Sequence, residues 1–473
     1  MKRTLFLAPL AATACSLAPH PSTPLSLAPP VVSAAIVPVS GPPQAIVAGA
    51  AVRPDWYREF GSPALDTLVN QALVANTDLA NAEAALRQAR EQAAAAAGTT
   101  LPQIDANYQA QRIRVSRTLS NPLIDPSQYL YTLHTAQLAV TYPLDLFGGL
   151  RAKTASARAA AEVAHDRLAA ARTTVVANLV VAVIQRAALS AQLDATRASI
   201  AGNREILTML QRRQALGDIG AADVSAQQTA LASAEGALPP IARQLAHETV
   251  LIASLTGVAA GSRLPVLPTL SELRLPGTLP VALPAAIIAN RPDVRAAEAQ
   301  MRGAAADVGA AIAARLPNLQ LSANVGGEAT ALASLLASGN IFWSLIGGVT
   351  QPLFHGGQLK HQQRAAEAEL DGAEAQYRGA VLQAFADVGD ALTGLRTDAD
   401  ALDAAVRASD AADRNLDFTR RQLALGGAGT LAVLNAAAAD AQATSQRVQA
   451  QAARLSDTVA LFQAVGGGLT VDR

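Results

Sequence analysis

Two stretches of about 65 helix-patterned residues, each ending at a glycine turn, stand about 210 positions apart in this 473-residue chain, and they constrain its fold more than any other feature. Leu101-Pro102-Gln103-Ile104 recurs as Leu316-Pro317-Asn318-Leu319. Pro143-Leu144 with Phe147-Gly148-Gly149 recurs as Pro352-Leu353-Phe354 with Gly356-Gly357, and Arg213-Gln214-Ala215-Leu216-Gly217 recurs as Arg421-Gln422-Leu423-Ala424-Leu425-Gly426. Each copy reads helix, two strand-like segments, one very long helix (about 150 to 215 and 357 to 425), a glycine turn and another long helix. A helix of that length measures on the order of 100 Å at 1.5 Å per residue. A globular core has no use for one.

The seams of these helices follow heptads. After the second turn, positions 431, 434, 438, 441, 445, 448, 452, 455, 459 and 462 hold Leu, Leu, Ala, Ala, Ser, Val, Ala, Leu, Val and Phe. Only Ser445 interrupts a seam of the kind that packs knobs into holes. The pattern also runs through Val381, Phe385, Val388, Leu392, Leu395, Ala399, Leu402 and Val406. In the first copy Val224, Leu231, Leu238, Leu245 and Ile252 recur every seven residues, and Pro239-Pro240 predicts a kink or break among them. Alanine is roughly a quarter of the chain and aromatics only 3%, a composition suited to closely packed helices.

The strand candidates have period two. Ile104, Ala106, Tyr108 and Ala110 alternate with polar residues, as do Ala136, Leu138, Val140 and Tyr142, and Leu319, Leu321, Ala323 and Val325; a weaker fourth candidate spans 341 to 350. A half-buried soluble sheet gives the same alternation. Segments of about ten residues with one apolar and one polar face also suit a membrane barrel with a wet lumen, and the export signal favours that reading. Four strands cannot close such a barrel, whose minimum is about eight, so more than one chain is required.

Lys2-Arg3 followed by the short apolar stretch Thr4 to Ala14 reads as an export signal. Ala12-Thr13-Ala14-Cys15 resembles the lipobox of bacterial lipoproteins, with Ala12 where leucine is usual, and the chain's one cysteine is the expected acylation site. The division expected is 1–14 signal, 15–54 lipidated Pro/Ser/Ala-rich linker, 55–260 first repeat, 261–283 linker, 284–468 second repeat and 469–473 tail. No later run of 18 apolar residues is free of charge, so no transmembrane helix is expected. With 37 basic and 37 acidic side chains, the chain lacks the basic balance of a nucleic-acid binder.

No catalytic arrangement or cofactor motif stands out. His355 and His361 are six apart and do not share a helix face, so no metal site is assigned. Gly426-Gly427-Ala428-Gly429 has neither the preceding buried strand nor the lysine of a phosphate loop. Gly326-Gly327 reads as a turn, and Asp387, Asp390, Asp398, Asp400 and Asp403 as a solvated helix face. A periplasmic coiled-coil scaffold that transports nothing would explain the heptads and the signal, but not four strand segments at matching positions.

The chain resembles the TolC-like outer-membrane factors of tripartite efflux systems, in particular the lipoprotein branch that works with resistance–nodulation–division pumps. In the first copy the resemblance lies in Trp56-Tyr57-Arg58-Glu59-Phe60, Leu65, Leu68-Val69, Ala72-Leu73, Asn76, Asp78-Leu79 and Asp145-Leu146-Phe147-Gly148-Gly149. In the second it lies in Ala289-Asn290-Arg291-Pro292-Asp293-Val294-Arg295-Ala296-Ala297-Glu298, Pro317, Pro352-Leu353-Phe354 with Gly356-Gly357, and Ala464-Val465-Gly466-Gly467-Gly468. It implies a mainly α fold with membrane β structure: a homotrimer whose twelve strands form one outer-membrane barrel, continued by a twelve-helix periplasmic coiled-coil tunnel. The shorter helices (62 to 97 with 222 to 256, and 284 to 315 with 430 to 465) would stack in pairs. Such a protein is a passive exit duct, not an enzyme. Its partners would be outer-membrane lipids, a periplasmic adaptor docked at the helical tips and an inner-membrane pump. The resemblance also places a gate just after the tip turns at Gly217 and Gly426. Leu431 matches its apolar position, Asn435 stands where an aspartate is common, Ala432 holds another position that can be acidic, and Asp223 is the acid beside the first turn.

Overall fold

The computed structural model describes residues 44–48, 52–114, 116, 130–281 and 290–468. The elements run β1 (Ala45–Ala48), α1 (Pro63–Ala75), α2 (Thr77–Gly98), β2 (Gln103–Arg114), β3 (Leu130–Leu144), α3 (Gly149–Ala215), α4 (Ala221–Gly236), α5 (Leu238–Leu255), β4 (Thr278–Val281), α6 (Pro292–Ala313), β5 (Asn318–Ala329), β6 (Ile341–Thr350), α7 (Gln358–Ala424) and α8 (Thr430–Ala464). Both α3 and α7 have 67 residues, so the duplication read from the sequence holds to the residue in its longest elements. The Pro239-Pro240 break is also present, since α4 stops at Gly236 and α5 begins at Leu238 with proline in its first turn.

The chain divides into two compact units. One comprises Leu86–Val163 and Ala297–Tyr377, and holds a four-stranded antiparallel sheet in the order β2-β3-β5-β6. Helix starts here are fixed locally. Gly148 takes φ 75°, turning the chain out of β3, and the Asp145 carboxylate then accepts hydrogen bonds from the backbone N–H of Leu150 (3.1 Å) and Arg151 (2.9 Å) at the open end of α3. The helices are tied by pairs such as Arg302–Glu162 at 2.7 Å and Ser156 donating to Asp307 at 2.9 Å.

The other unit comprises, among the described residues, 44–85, 164–296 and 378–468. Its core surrounds the middle of α3, where Val176, Leu179, Val180, Val183 and Ile184 are fully buried. A 3-10 turn over Trp56–Phe60 drives three aromatics into this core, and Trp56 stacks on Phe462 at 5.0 Å. The segment expected as one helix over 62 to 97 breaks at Asn76. The Asn76 backbone N–H closes α1 on Ala72, its side chain accepts from Asp78 and Leu79 to open α2, and its Nδ2 donates to the Leu255 carbonyl at 2.9 Å. One buried amide thus ends one helix, starts the next and holds a third.

The tether and acid-face expectations need correction here, whereas helix α3 does not overturn the expected lack of a charge-free apolar run: its 18-residue window apolar enough by length and composition to cross a membrane is 61% buried inside the protein. Its apolar character is that of a helix enclosed by neighbours. The N-terminal tether is anchored at its end: β1 pairs in parallel with β4 from the inter-repeat segment, and buried Gln44 accepts from Arg454 Nε at 3.2 Å and Nη2 at 2.9 Å. The predicted solvated acid face is also incomplete. Asp387 pairs with Arg291 at 2.8 Å, and Asp398 turns inward, one carboxyl oxygen buried with no hydrogen-bond partner among the described residues. Burial and the neighbouring Asp457 raise Asp398 from the ordinary carboxylate range to about 6, opposed by the fully buried Arg454, and burial raises Asp457 too.

This pair sets a pH dependence. Between the unfolded carboxylate range and about pH 6 the folded chain holds more protons than the unfolded one, so this contribution to stability is full in acid and lost as pH rises through 6. Thermal unfolding of the full chain in detergent should therefore occur at lower temperature at pH 7.5 than at pH 5. Asp398→Asn should flatten that difference and raise the midpoint at pH 7.5 by a few degrees.

Candidate functional site

The sheet reads as rows across its strands. On one face Ile104, Val140, Ala323 and Leu345 stand in line, as do Ala106, Leu138, Val325 and Trp343, and then Tyr108, Ala136, Gly327 and Ile341. On the other face the rows are Asp105, Ala139, Asn324 and Ser344, and Gln103, Thr141, Ser322 and Ile346. The apolar face is uncovered: Ile104 is 69% exposed, Trp343 76% and Leu345 64%. A soluble sheet would bury that face, so the half-buried alternative fails. All four predicted strands are present; β2, β3 and β5 are longer than the alternation alone marked out, and β6 has the expected bounds.

The sheet also corrects the reading of Gly326-Gly327 as a turn. Both lie inside β5, opposite Gln137 and Ala136. A Cβ at Gly326 would strike the Ala136 carbonyl, and one at Gly327 the carbonyl of Leu335, in the loop that folds back so that Glu328 N–H donates to Asn340 at 2.9 Å. Close backbone approach, not chain reversal, demands glycine there.

The predicted tip turns have the same geometry in both copies. Gly217 takes φ 83° and Gly426 φ 74°. Asp218 N–H donates to Arg213 at 3.0 Å and Gly427 N–H to Gln422 at 2.8 Å, each closing its long helix in a Schellman motif. Gly220 and Gly429 then open α4 and α8 at φ −83° and −82°. The two hairpins meet through Ile206, Leu210, Val224, Leu423 and Val433. Fully buried Gln227 donates to the Asn203 carbonyl and to its side-chain oxygen, both at 2.9 Å. This polar tie escaped sequence reasoning, because nothing in the heptad pattern distinguishes Gln227 from a surface glutamine.

The gate candidates sit around these turns. Leu431 is 69% exposed, Ala432 and Asn435 are exposed, and Asp223 is half-buried beside Val224. The seam read through Leu431 and Ala438 does not describe this part of α8, whose buried stripe is Thr430, Val433, Ala436 and Ala443. From Val448 through Ala452, Leu455, Val459 and Phe462 seam and buried stripe coincide. Near the tip α8 turns Val433 toward its own chain's other hairpin, which leaves Leu431 outside. Each tip also ends in an exposed leucine directly before its glycine, Leu216 at 77% and Leu425 at 87%. Cys15 lies outside the described residues.

The sequence signature of the Outer membrane efflux protein family matches residues 68–258 and 283–467. This chain belongs to that family. The efflux protein is 30% identical over 481 residues to the pyoverdine export outer membrane protein OpmQ of Pseudomonas putida, covering 100% of this chain and 99% of the relative. The outer-membrane channel OprN superposes with a TM-score of 0.88 at 24% identity, over 96% of this chain and 100% of that one. The outer membrane protein VceC of Vibrio cholerae gives 0.81 at 26% identity, over 89% and 100%. The protein has the fold of the trimeric TolC-like channels, mainly α with membrane strands, and is an outer-membrane exit duct of an efflux system.

The sheet supplies a direct check on this fold. Gly326→Ala should cost about 1–3 kcal/mol, because the methyl meets a backbone carbonyl that cannot move without breaking the ladder. Gly347→Ala, with nothing within 4 Å, should be neutral. The yield of heat-modifiable protein in outer-membrane fractions should fall only for the first.

Proposed function

We propose that three copies of this chain close a twelve-stranded barrel and a helical tunnel, forming the passive exit of a tripartite pump. The observation that carries this reading is the uncovered two-faced sheet whose edges at β2 and β6 have no pairing strand among the described residues. An apolar face suits lipid, a polar face suits a wet lumen, and a strand edge in hydrocarbon needs a partner. Three chains of four strands meet all three demands.

Energy comes from an inner-membrane pump of the resistance–nodulation–division type, and a periplasmic adaptor seats on the hairpin tips. The exposed Leu216 and Leu425 suit such an apolar contact. Acylation of Cys15 adds a lipid anchor. Leu431 supplies the closed gate: its exposure near the tip leaves it free to meet its two symmetry mates on the axis. Asn435, Ala432 and half-buried Asp223 complete the constriction. Three asparagines on an axis offer hydrogen bonds without the field that three carboxylates would create.

Single-channel recording tests duct and gate together. The wild-type protein in planar bilayers should conduct poorly with weak sensitivity to divalent cations. Leu431→Ala should raise conductance several-fold, and Asn435→Asp should add block by divalent cations. A protein that forms no channel contradicts the duct; channels indifferent to both changes contradict the gate alone.

A further inference from the structure

The helical unit holds a feature that lies apart from the hairpin tips. A cleft of about 820 Å³ opens between α3, the inter-repeat segment Thr269–Leu275, α7 and α8. That volume lies in the range of small-molecule sites. Leu270, Leu402 and Leu455 give it an apolar lining. Its charged lining is unbalanced: Arg186, Arg274 and Arg447 face a single acid, Asp194, which is 69% exposed and already paired with Arg197 at 3.3 Å.

Arg186 is the telling residue. Its Nε is out of solvent and has no hydrogen-bond partner among the described residues. Burial lowers its pKa. A half-buried guanidinium with one N–H out of solvent and unused is costly unless an anion completes it. The guanidinium fork matches the planar oxygens of a carboxylate or phosphate. The leucines beside it exclude a small hydrated anion as the best fit and require an apolar body attached to the charge.

We infer that this cleft binds an anionic amphiphile, its carboxylate or phosphate head on Arg186 and its apolar body on Leu270, Leu402 and Leu455. Arg447, exposed on α8, adds long-range attraction at the mouth. The site is independent of the gate and of the tip contacts. Two sources supply such a molecule at this location, namely membrane-derived fatty acids or phospholipids and acidic solutes in transit.

The test uses the full chain in an uncharged detergent and isothermal titration with decanoate, decyl phosphate, naphthalene-2-sulfonate and decyltrimethylammonium. Decanoate or decyl phosphate should bind once per chain, and decyltrimethylammonium should not. Arg186→Gln should weaken binding by about tenfold or more, the worth of one charge-assisted hydrogen bond. Arg447→Gln, at an exposed helical position, should weaken it less and covers the case in which the first variant fails to fold. Binding confined to the decyl probes assigns a membrane source; binding that includes the naphthalene sulfonate assigns a solute. Equal binding of decyltrimethylammonium, or unchanged decanoate affinity in both variants, overturns the proposal. So does a wild-type protein that binds no probe while Arg186→Gln dissociates its oligomer, because the cleft is then an interface between copies.

Discussion

A peptide group in hydrocarbon must be hydrogen-bonded, and that requirement governs the rest of this molecule. The sheet satisfies it internally across three pairings, and leaves it unmet along the outer edges of β2 and β6. A single chain therefore cannot be the membrane-embedded unit. The helices repeat the message in another form. Val224 and Ile252 are buried while Leu231, Leu238 and Leu245, on the same heptad stripe, are only half-covered. Seam positions left open in one chain are what neighbouring helices of further copies would fill.

The duplication explains how one chain supplies both parts. Each copy contributes two strands, one 67-residue helix and a return helix, with a Schellman glycine at the reversal. Small differences between the copies then carry the specialisation. The first return is broken at Pro239-Pro240, and the second is continuous over 35 residues from Thr430 to Ala464. The first copy caps its long helix with the Asp145 carboxylate, whereas at the matching turn of the second Leu353 and Phe354 stand 91% and 87% exposed.

Much of this was legible in the sequence, because the signals are periodic and long. Long heptad runs and strict strand alternation each outvote local exceptions, so α7 and all four barrel strands stand where expected, and α3 is marked by the repeated motifs at its two ends. What escaped was short or assembled from distant parts. Strand β1 has four residues and pairs with another four-residue strand some 230 positions away, too little for any period to register. The inward turn of Asp398 depends on Asp457 and Arg454 from another helix, and the tie from Gln227 to Asn203 crosses a hairpin. Gly326-Gly327 looked like a turn because paired glycines usually are one. Only the ladder shows the carbonyls that exclude a side chain. The gate residues are partly legible: the turns are certain from glycine, but the orientation of Leu431 reverses the seam that the heptad alone assigns.

The central claim is that β2 of one copy completes the ladder of β6 of the next. Within a chain these strands are separated by β3 and β5, about 14 Å at 4.8 Å per strand, beyond the reach of a disulfide. The most direct measurement is disulfide trapping in intact outer membranes. Cysteines would be scanned along β2 (Gln103, Asp105, Asn107) against β6 (Ser344, Ile346, Gly348), followed by electrophoresis without reductant. The account predicts register-dependent pairs that give dimers and trimers and nothing larger. Monomer alone at every register, or a ladder running past three chains, would contradict it.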